Sequence, residues 1–257
     1  MLPLTRHPAE DSIRKLGLLA ALSAAAFGAG CATRGPNHVY FTADGSAAVQ
    51  DLGPAARVEH AVAPGERVLG LAYDFNTDHL FLRVAPAQVI RVIERPSGKI
   101  LREMPLPPDL QTTQPADLAI RSSDRHLFAV HPDGRTVVEL TLFGKFVRRL
   151  ALREPAGPIG GLAYDQKNHR LLVLTATNPA RIGGVTPEGD VTHYVTLAGS
   201  VRPVSLGYDS EAGRFFVPLA DGTSLGEFAA DGKLLATIPA GAVTAVDAGP
   251  RSYVRVF

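Results

Sequence analysis

Three histidines and two arginines, His38, His79, His126, Arg170 and Arg214, stand at matching places in the chain, each just ahead of an apolar run. Histidines brought to one point would hold a transition metal through their ring nitrogens. Gly222-Thr223-Ser224-Leu225-Gly226 fits G-x-S-x-G, in which a serine on a strand-to-helix turn attacks an acyl carbon. Asp117, Asn178, Arg181, Glu66 and Arg202 form a third group. Carboxylate and amide oxygens suit a hard cation such as calcium, and guanidinium groups suit a carboxylate or phosphate. Which chemistry survives depends on the elements that carry these residues.

Those elements repeat. An apolar pentad opens each unit: Gly70-Leu71-Ala72-Tyr73-Asp74, Asp117-Leu118-Ala119-Ile120-Arg121, Gly161-Leu162-Ala163-Tyr164-Asp165 and Ser205-Leu206-Gly207-Tyr208-Asp209. Their first residues are 47, 44 and 44 apart, and a weaker opening, Val243-Thr244-Ala245-Val246-Asp247, follows after 38. Gly98, Gly144, Gly189 and Gly232 keep step, 28, 27, 28 and 27 residues after their pentads. Two markers holding one phase over four copies establish an internal repeat. Within each copy a polar turn follows the pentad, then an apolar run, a more openly alternating strand, a Gly-bearing tight turn and a fourth strand.

A repeated four-stranded unit of this length predicts a β-propeller blade. From residue 38 onward the pentads resemble the opening strands of NHL-type and YVTN-type propeller repeats. The resemblance implies an all-β fold and, being to a generic repeat, no particular activity. His38 to Phe41, Ala47 to Leu52 and Arg57 to Ala63 supply three strands of a first blade, and Thr244 to Ala248 its missing innermost strand. The expected architecture is therefore five four-stranded blades closed by the N- and C-terminal strands. The alternative is six blades, one incomplete, with Ser252 to Phe257 in the last.

The ring decides most of the chemistry. Repeat-equivalent residues of different blades lie far apart, so the histidines should not meet. Ser224 falls in a hairpin with no helix after it, so no catalytic set is assigned. The aspartates that end most pentads (Asp74, Asp165, Asp209, Asp247) are expected to accept N–H bonds in the turn that follows. Ligands of propellers meet the face bearing the loops into each first strand and those between second and third strands. The first loops carry Glu66, Arg67, Asp109, Gln111, Gln114, Asp117, Arg153, Glu154 and Arg202; the second carry His131, Asp133, Thr177, Asn178, Arg181 and Asp221. Asp117 replaces a small residue at the start of a channel-lining strand, Pro107 to Ala116 is the longest lead-in loop, and Thr175 to Gly184 is a polar irregular one. A site, if formed, is expected around Asp117, Asn178 and Arg181, with Glu66 and Arg202.

Residues 1 to 30 read as an export signal: basic Arg6, Arg14 and Lys15, an apolar run from Leu16 to Phe27, then small residues. Ala29-Gly30-Cys31 resembles the lipobox of bacterial lipoproteins, with Gly28 where that motif has Leu. The resemblance implies cleavage before Cys31, the sole cysteine, and acylation there. Ala32 in the next place resembles the pattern for outer-membrane sorting. Residues 31 to 37 would be lipidated cysteine and tether, and 38 to 257 the propeller, close to the membrane and facing the periplasm. An uncleaved anchor and a secreted form are the alternatives. Twelve apolar residues of helix reach about 18 Å, short of a hydrocarbon core of about 30 Å.

Without the signal, lysine plus arginine and aspartate plus glutamate number 23 each. A neutral domain is a poor nucleic-acid binder. Two functions remain. One is a non-catalytic binding scaffold anchored in the cell envelope, with a protein or glycan partner. The other resembles gluconolactonase-type propeller hydrolases, which hold calcium with Glu, two Asn and Asp at the channel mouth. The chain has four Asn, of which Asn76 and Asn168 lie in turns on the opposite face and Asn178 alone is suitably placed. The scaffold, with no cofactor, is the expectation.

Overall fold

A computed structural model describes residues 38–53, 58–59, 61–153, 155 and 157–249. The leader, Cys31, Glu154 and residues 252–257 lie outside them. Pro36–Phe257 forms one compact unit by itself.

The first strands, β1 (His38–Ala43) and β2 (Gln50–Asp51), belong to a three-stranded sheet completed by the last, β19 (Val243–Gly249), in the order β19-β1-β2. Four meanders follow. The second blade is β3 (Arg67–Asp74), β4 (His79–Ala85), β5 (Val89–Glu94) and β6 (Lys99–Pro105). The third is β7 (Leu118–Arg121), β8 (His126–Val130), β9 (Thr136–Thr141) and β10 (Phe146–Ala151). The fourth comprises β11 (Ile159–Asp165), β12 (Arg170–Thr175), β13 (Arg181–Val185) and β14 (Val191–Thr196), and the fifth β15 (Gly207–Asp209), β16 (Arg214–Pro218), β17 (Ser224–Ala229) and β18 (Leu234–Pro239).

The fold is a five-bladed β-propeller.

Burial explains the residue types. The inner strands are covered on both faces and are mostly apolar, as in β4, where only His79 is not fully buried and Arg83 is the buried exception. The outer β6 and β10 are mostly exposed and mix charged residues with apolar ones. There is one apolar cluster per blade interface. Phe81 and Val92 of the second blade, for example, pack with Leu118, Leu127 and Leu140 of the third. The fifth cluster joins Phe216 and Leu225 to Val39, Phe41 and Val246, closing the ring.

Closure follows the expected route, with β1 antiparallel to β19 from His38↔Gly249 to Ala43↔Val243. The first blade is thinner than expected. Its third strand is two residues long, and the expected fourth is reduced, among the described residues, to the Val49↔Val58 bridge.

The blades expose two ends. The mouth face carries the loops into each first strand and those between second and third strands. The turn face carries the tight turns between first and second and between third and fourth strands. At the axis the first strands converge so closely that a Cβ on Gly70 would lie 2.7 Å from the Ala116 carbonyl oxygen and from the Asp117 Cα. One on Gly161 would lie 2.7 Å from the Ser205 carbonyl carbon. Glycine opens these pentads because nothing larger fits.

Candidate functional site

Asp117 is fully buried on the axis. Its Oδ2 accepts the Leu162 N–H at 3.0 Å and the Leu206 N–H at 2.9 Å, tying the third blade to the first strands of the next two. Burial pushes its carboxyl well above the usual range, while the two backbone donors act the other way. Ser205 makes a similar tie. Its Oγ accepts the Val246 N–H at 2.9 Å and donates to the Val246 carbonyl at 3.2 Å. Asp247 completes the series by accepting the Tyr73 N–H of the second blade at 2.8 Å. Burial raises its carboxyl to about 7, against its bonds from Tyr73 and Ala248.

The last contact corrects an expectation. Asp74, Asp165 and Asp209 do bond the turns that follow them, through Asn76, Asn168, and Glu211 with Ala212. Asp247 instead lies two residues inside β19, which runs on to Gly249, and among the described residues its Oδ1 accepts the N–H of Ala248, within the strand. Its Oδ2 reaches the neighbouring blade.

At the turn face Tyr73, Tyr164 and Tyr208 stand around the axis with Ile120 and Asp247, enclosing only about 10 Å³. The axial carboxylate and this tyrosine collar make the channel blind. At the mouth a larger hollow of about 220 Å³ opens, lined by Asp44, Arg67, Val68, Leu69, Pro115, Arg202, Val204 and Thr244. Four blades contribute to it. Arg67 is exposed and has no ion pair among the described residues. Arg202 donates through Nη2 to the Val243 carbonyl, and its buried Nε has no partner among the described residues. Two guanidinium groups against one carboxylate, over an apolar floor, suit a carboxylate or phosphate group.

The other sequence-selected residues are dispersed. Glu66 is bound to Arg91 in a two-point ion pair, Nη1 to Oε2 at 2.6 Å and Nη2 to Oε1 at 2.9 Å, which lowers its pKa. Asn178 lines a second hollow of about 310 Å³ between the fourth and fifth blades, with Thr177, Ser200 and Pro203. Arg181 is exposed at the start of β13 and lines neither hollow. Among the described residues, Asp117, Asn178 and Arg181 therefore share neither of these two hollows. Ser224 begins β17 in a hairpin where Asp221 Oδ1 accepts its N–H at 2.9 Å.

The recurring basic positions stay in separate blades. His38 pairs with Asp51, His126 with Glu139 at 2.6 Å, and Arg214 with Glu227 at 3.5 Å, in each case diagonally onto the third strand. His79 faces Glu94 in register. Asp124, His126 and Glu139 place one ligand atom each within 4.8 Å of one another, close enough for a cation. Arginine already occupies that role. Arg121 Nη2 lies 2.7 Å from Asp124 and 2.6 Å from Glu139, and Arg148 Nε lies 2.6 Å from Glu139.

Sequence reasoning missed Arg83, which is wholly buried, with its pKa lowered to about 10 by burial. It donates to the carbonyls of Leu110, Ala116 and Val130, pinning the long lead-in loop. A lone arginine within an apolar run was its only sign. Arg67, Asp44 and Thr244 gave none beyond their place in loops or strand starts.

This architecture is similar to that of a chain in the crystal structure of a nidogen/laminin complex. The match covers 83% of this chain and 98% of that one, with a TM-score of 0.59 and 12% identity. Weaker likenesses are to a protein of unknown function from Bacteroides caccae and to a streptogramin B lyase. The first covers 83% and 98% of the two chains, with TM-score 0.47 and 12% identity; the second covers 66% and 54%, with TM-score 0.43 and 21% identity. The shared feature is the fold. No protein-family model matches the sequence, nor does any curated protein.

Proposed function

We propose that the protein is an outer-membrane lipoprotein of the bacterial envelope, facing the periplasm, whose propeller is a non-catalytic scaffold docking a protein partner at its mouth. The observation that carries the binding role is the mouth hollow in which, among the described residues, Arg67 has no ion pair and Arg202 Nε no partner, over Val68, Leu69 and Val204. The axial carboxylates hold backbone N–H groups of other blades, Asp117 through Oδ2 alone, its buried Oδ1 having no partner among the described residues. What the mouth offers is charge and shape, matched to an acidic segment that ends in or carries a carboxylate. The nidogen/laminin structure, in which a chain of this fold belongs to a protein complex, supports the same use. The anchor rests on the Ala29-Gly30-Cys31 motif.

A photo-crosslinking residue at position 115, exposed at the rim of the hollow with both arginines intact, should capture in cells a partner that Arg202→Glu abolishes. Crosslinks unchanged by Arg202→Glu, or none above those from exposed Lys167 on the turn face, would remove the mouth as the docking site. Acylation is read separately, as radiolabelled palmitate incorporated by the wild type and lost in Cys31→Ser.

A further inference from the structure

The chain has five lysines, and the four beyond the leader, Lys99, Lys145, Lys167 and Lys233, are all exposed on the turn face. Three of them open a fourth strand in the same way: Gly98-Lys99-Ile100-Leu101, Gly144-Lys145-Phe146-Val147 and Gly232-Lys233-Leu234-Leu235. The apolar pair after each lysine is exposed, Phe146 to 53%. Phe143, in the turn before Gly144, is exposed to 70%, with the Arg102 guanidinium over its ring at 4.7 Å. Leu52, beside the start of β1, is the remaining exposed large apolar residue among those described. Every one of them thus lies at the same end of the ring.

The arrangement is an arc. Neighbouring first strands pack in the order β15, β19, β3, β7, so blades five, one, two and three are contiguous. The fourth blade breaks the pattern with Glu188-Gly189-Asp190-Val191-Thr192, where an acid replaces the lysine. Along the arc, Asp78 is held by Arg95 at 2.6 Å and Asp124 by Arg121 at 2.7 Å, and the lysines have no ion pair among the described residues, with Glu211 and Asp231 the exposed acids of the fifth blade's turns. His38, where residues 1–37 join the propeller, is at the turn-face end of β1, in the middle of the arc.

We infer that the turn face of blades five, one, two and three rests on an anionic lipid surface, with lysines at the headgroups and Phe143 and Phe146 at the interface. Aromatic and aliphatic side chains interleaved with lysine are the composition that binds such a surface, through buried apolar area and attraction to anionic lipid together. The orientation rests on the lipoprotein reading, since a tether of six residues after Cys31 spans at most about 20 Å. The mouth hollow then faces away from the bilayer, open to a partner.

The chain contains no tryptophan, so one introduced residue reports alone. Phe143→Trp on the turn face and Gln114→Trp, exposed on the mouth face, are each made in the full chain. Each is purified from the envelope and reconstituted into vesicles of phosphatidylethanolamine and phosphatidylglycerol with brominated acyl chains. Emission from position 143 should shift to the blue and be quenched at least about twofold more than that from position 114. Equal quenching, or none at either position in vesicle-bound protein, overturns the inference. The mass of the N-terminal peptide tests acylation independently. If Cys31 is unacylated, the lipoprotein reading fails, and the same protein is sedimented with the anionic vesicles. Binding at low salt that is lost in Lys99→Glu/Lys145→Glu/Lys233→Glu sustains the lipid-facing surface; absence of binding overturns it as well.

Discussion

The carboxylate of Asp117 accepts the backbone N–H of Leu206 at 2.9 Å, and these residues belong to blades that are not neighbours. With Leu162 as its second donor, one side chain on the axis ties three blades together.

Asp117→Asn keeps an oxygen acceptor in place and replaces an acid whose ionised form is disfavoured by burial. Its stability should stay within about 1 kcal/mol of wild type in urea unfolding. Asp117→Ala leaves two buried N–H groups without an acceptor and should lose about 2–5 kcal/mol. Equal behaviour of the two variants would show that the acceptor is not what matters at this position.

Asp247 makes stability depend on pH in an unusual sense. Its folded-state pKa, about 7, lies above the unfolded value near 4. Between those limits the folded protein holds a proton that the unfolded chain has lost, so stability falls as pH rises and levels off above pH 7. The size of the rise corresponds to a ceiling on the order of 4 kcal/mol. Glu66, lowered by Arg91, works oppositely, losing its contribution as the pH drops through the usual carboxylate range. Thermal unfolding should therefore show a higher Tm at pH 5 than at pH 8, and Asp247→Asn should reduce that difference, leaving the part that comes from Asp117, whose carboxyl burial also raises.

Gly70→Ala brings a methyl group to 2.7 Å from the backbone of Ala116 and Asp117, where no flexible side chain can yield. Overpacking against backbone should cost at least about 2 kcal/mol, seen as a lower urea midpoint. Gly45, around which an added Cβ meets nothing within 4 Å but whose φ is +71°, separates strain from crowding: Gly45→Ala should cost about 1 kcal/mol.

Calcium should leave the melting temperature unchanged at millimolar concentration. The one described cluster with converging acid and histidine ligands already holds Arg121 and Arg148, and a cation would have to displace them. A rise of several degrees would instead reveal binding to the native state and restore the hydrolase reading.

The phase of the pentads and turn glycines carried the fold almost entirely, because a period is a property of the chain itself. It also separated the histidines correctly, since equivalent positions in a ring cannot coincide. The odd residues were harder. Asp117 was visibly out of pattern, yet whether it faced a ligand or its own backbone depended on how near Leu162 and Leu206 come across the axis. No spacing along the chain encodes that distance. Arg202 reached the mouth as expected, whereas Arg181, three residues from Asn178, parted from it because β13 begins between them. Arg67 gained its importance only when four blades were seen to meet beside it.

The joining of β1 to β19 has a temporal consequence. The innermost strand of the first blade is made after every other described strand of the ring, so His38 to Ala43 must wait some two hundred residues for its partner. A chain cut short before Val243 would leave Tyr40 and Phe41 beside an open sheet edge, the kind of edge that recruits foreign strands. Maturation of this domain is thus all or nothing, and a stop codon placed just before Val243 should be as damaging as one early in the domain.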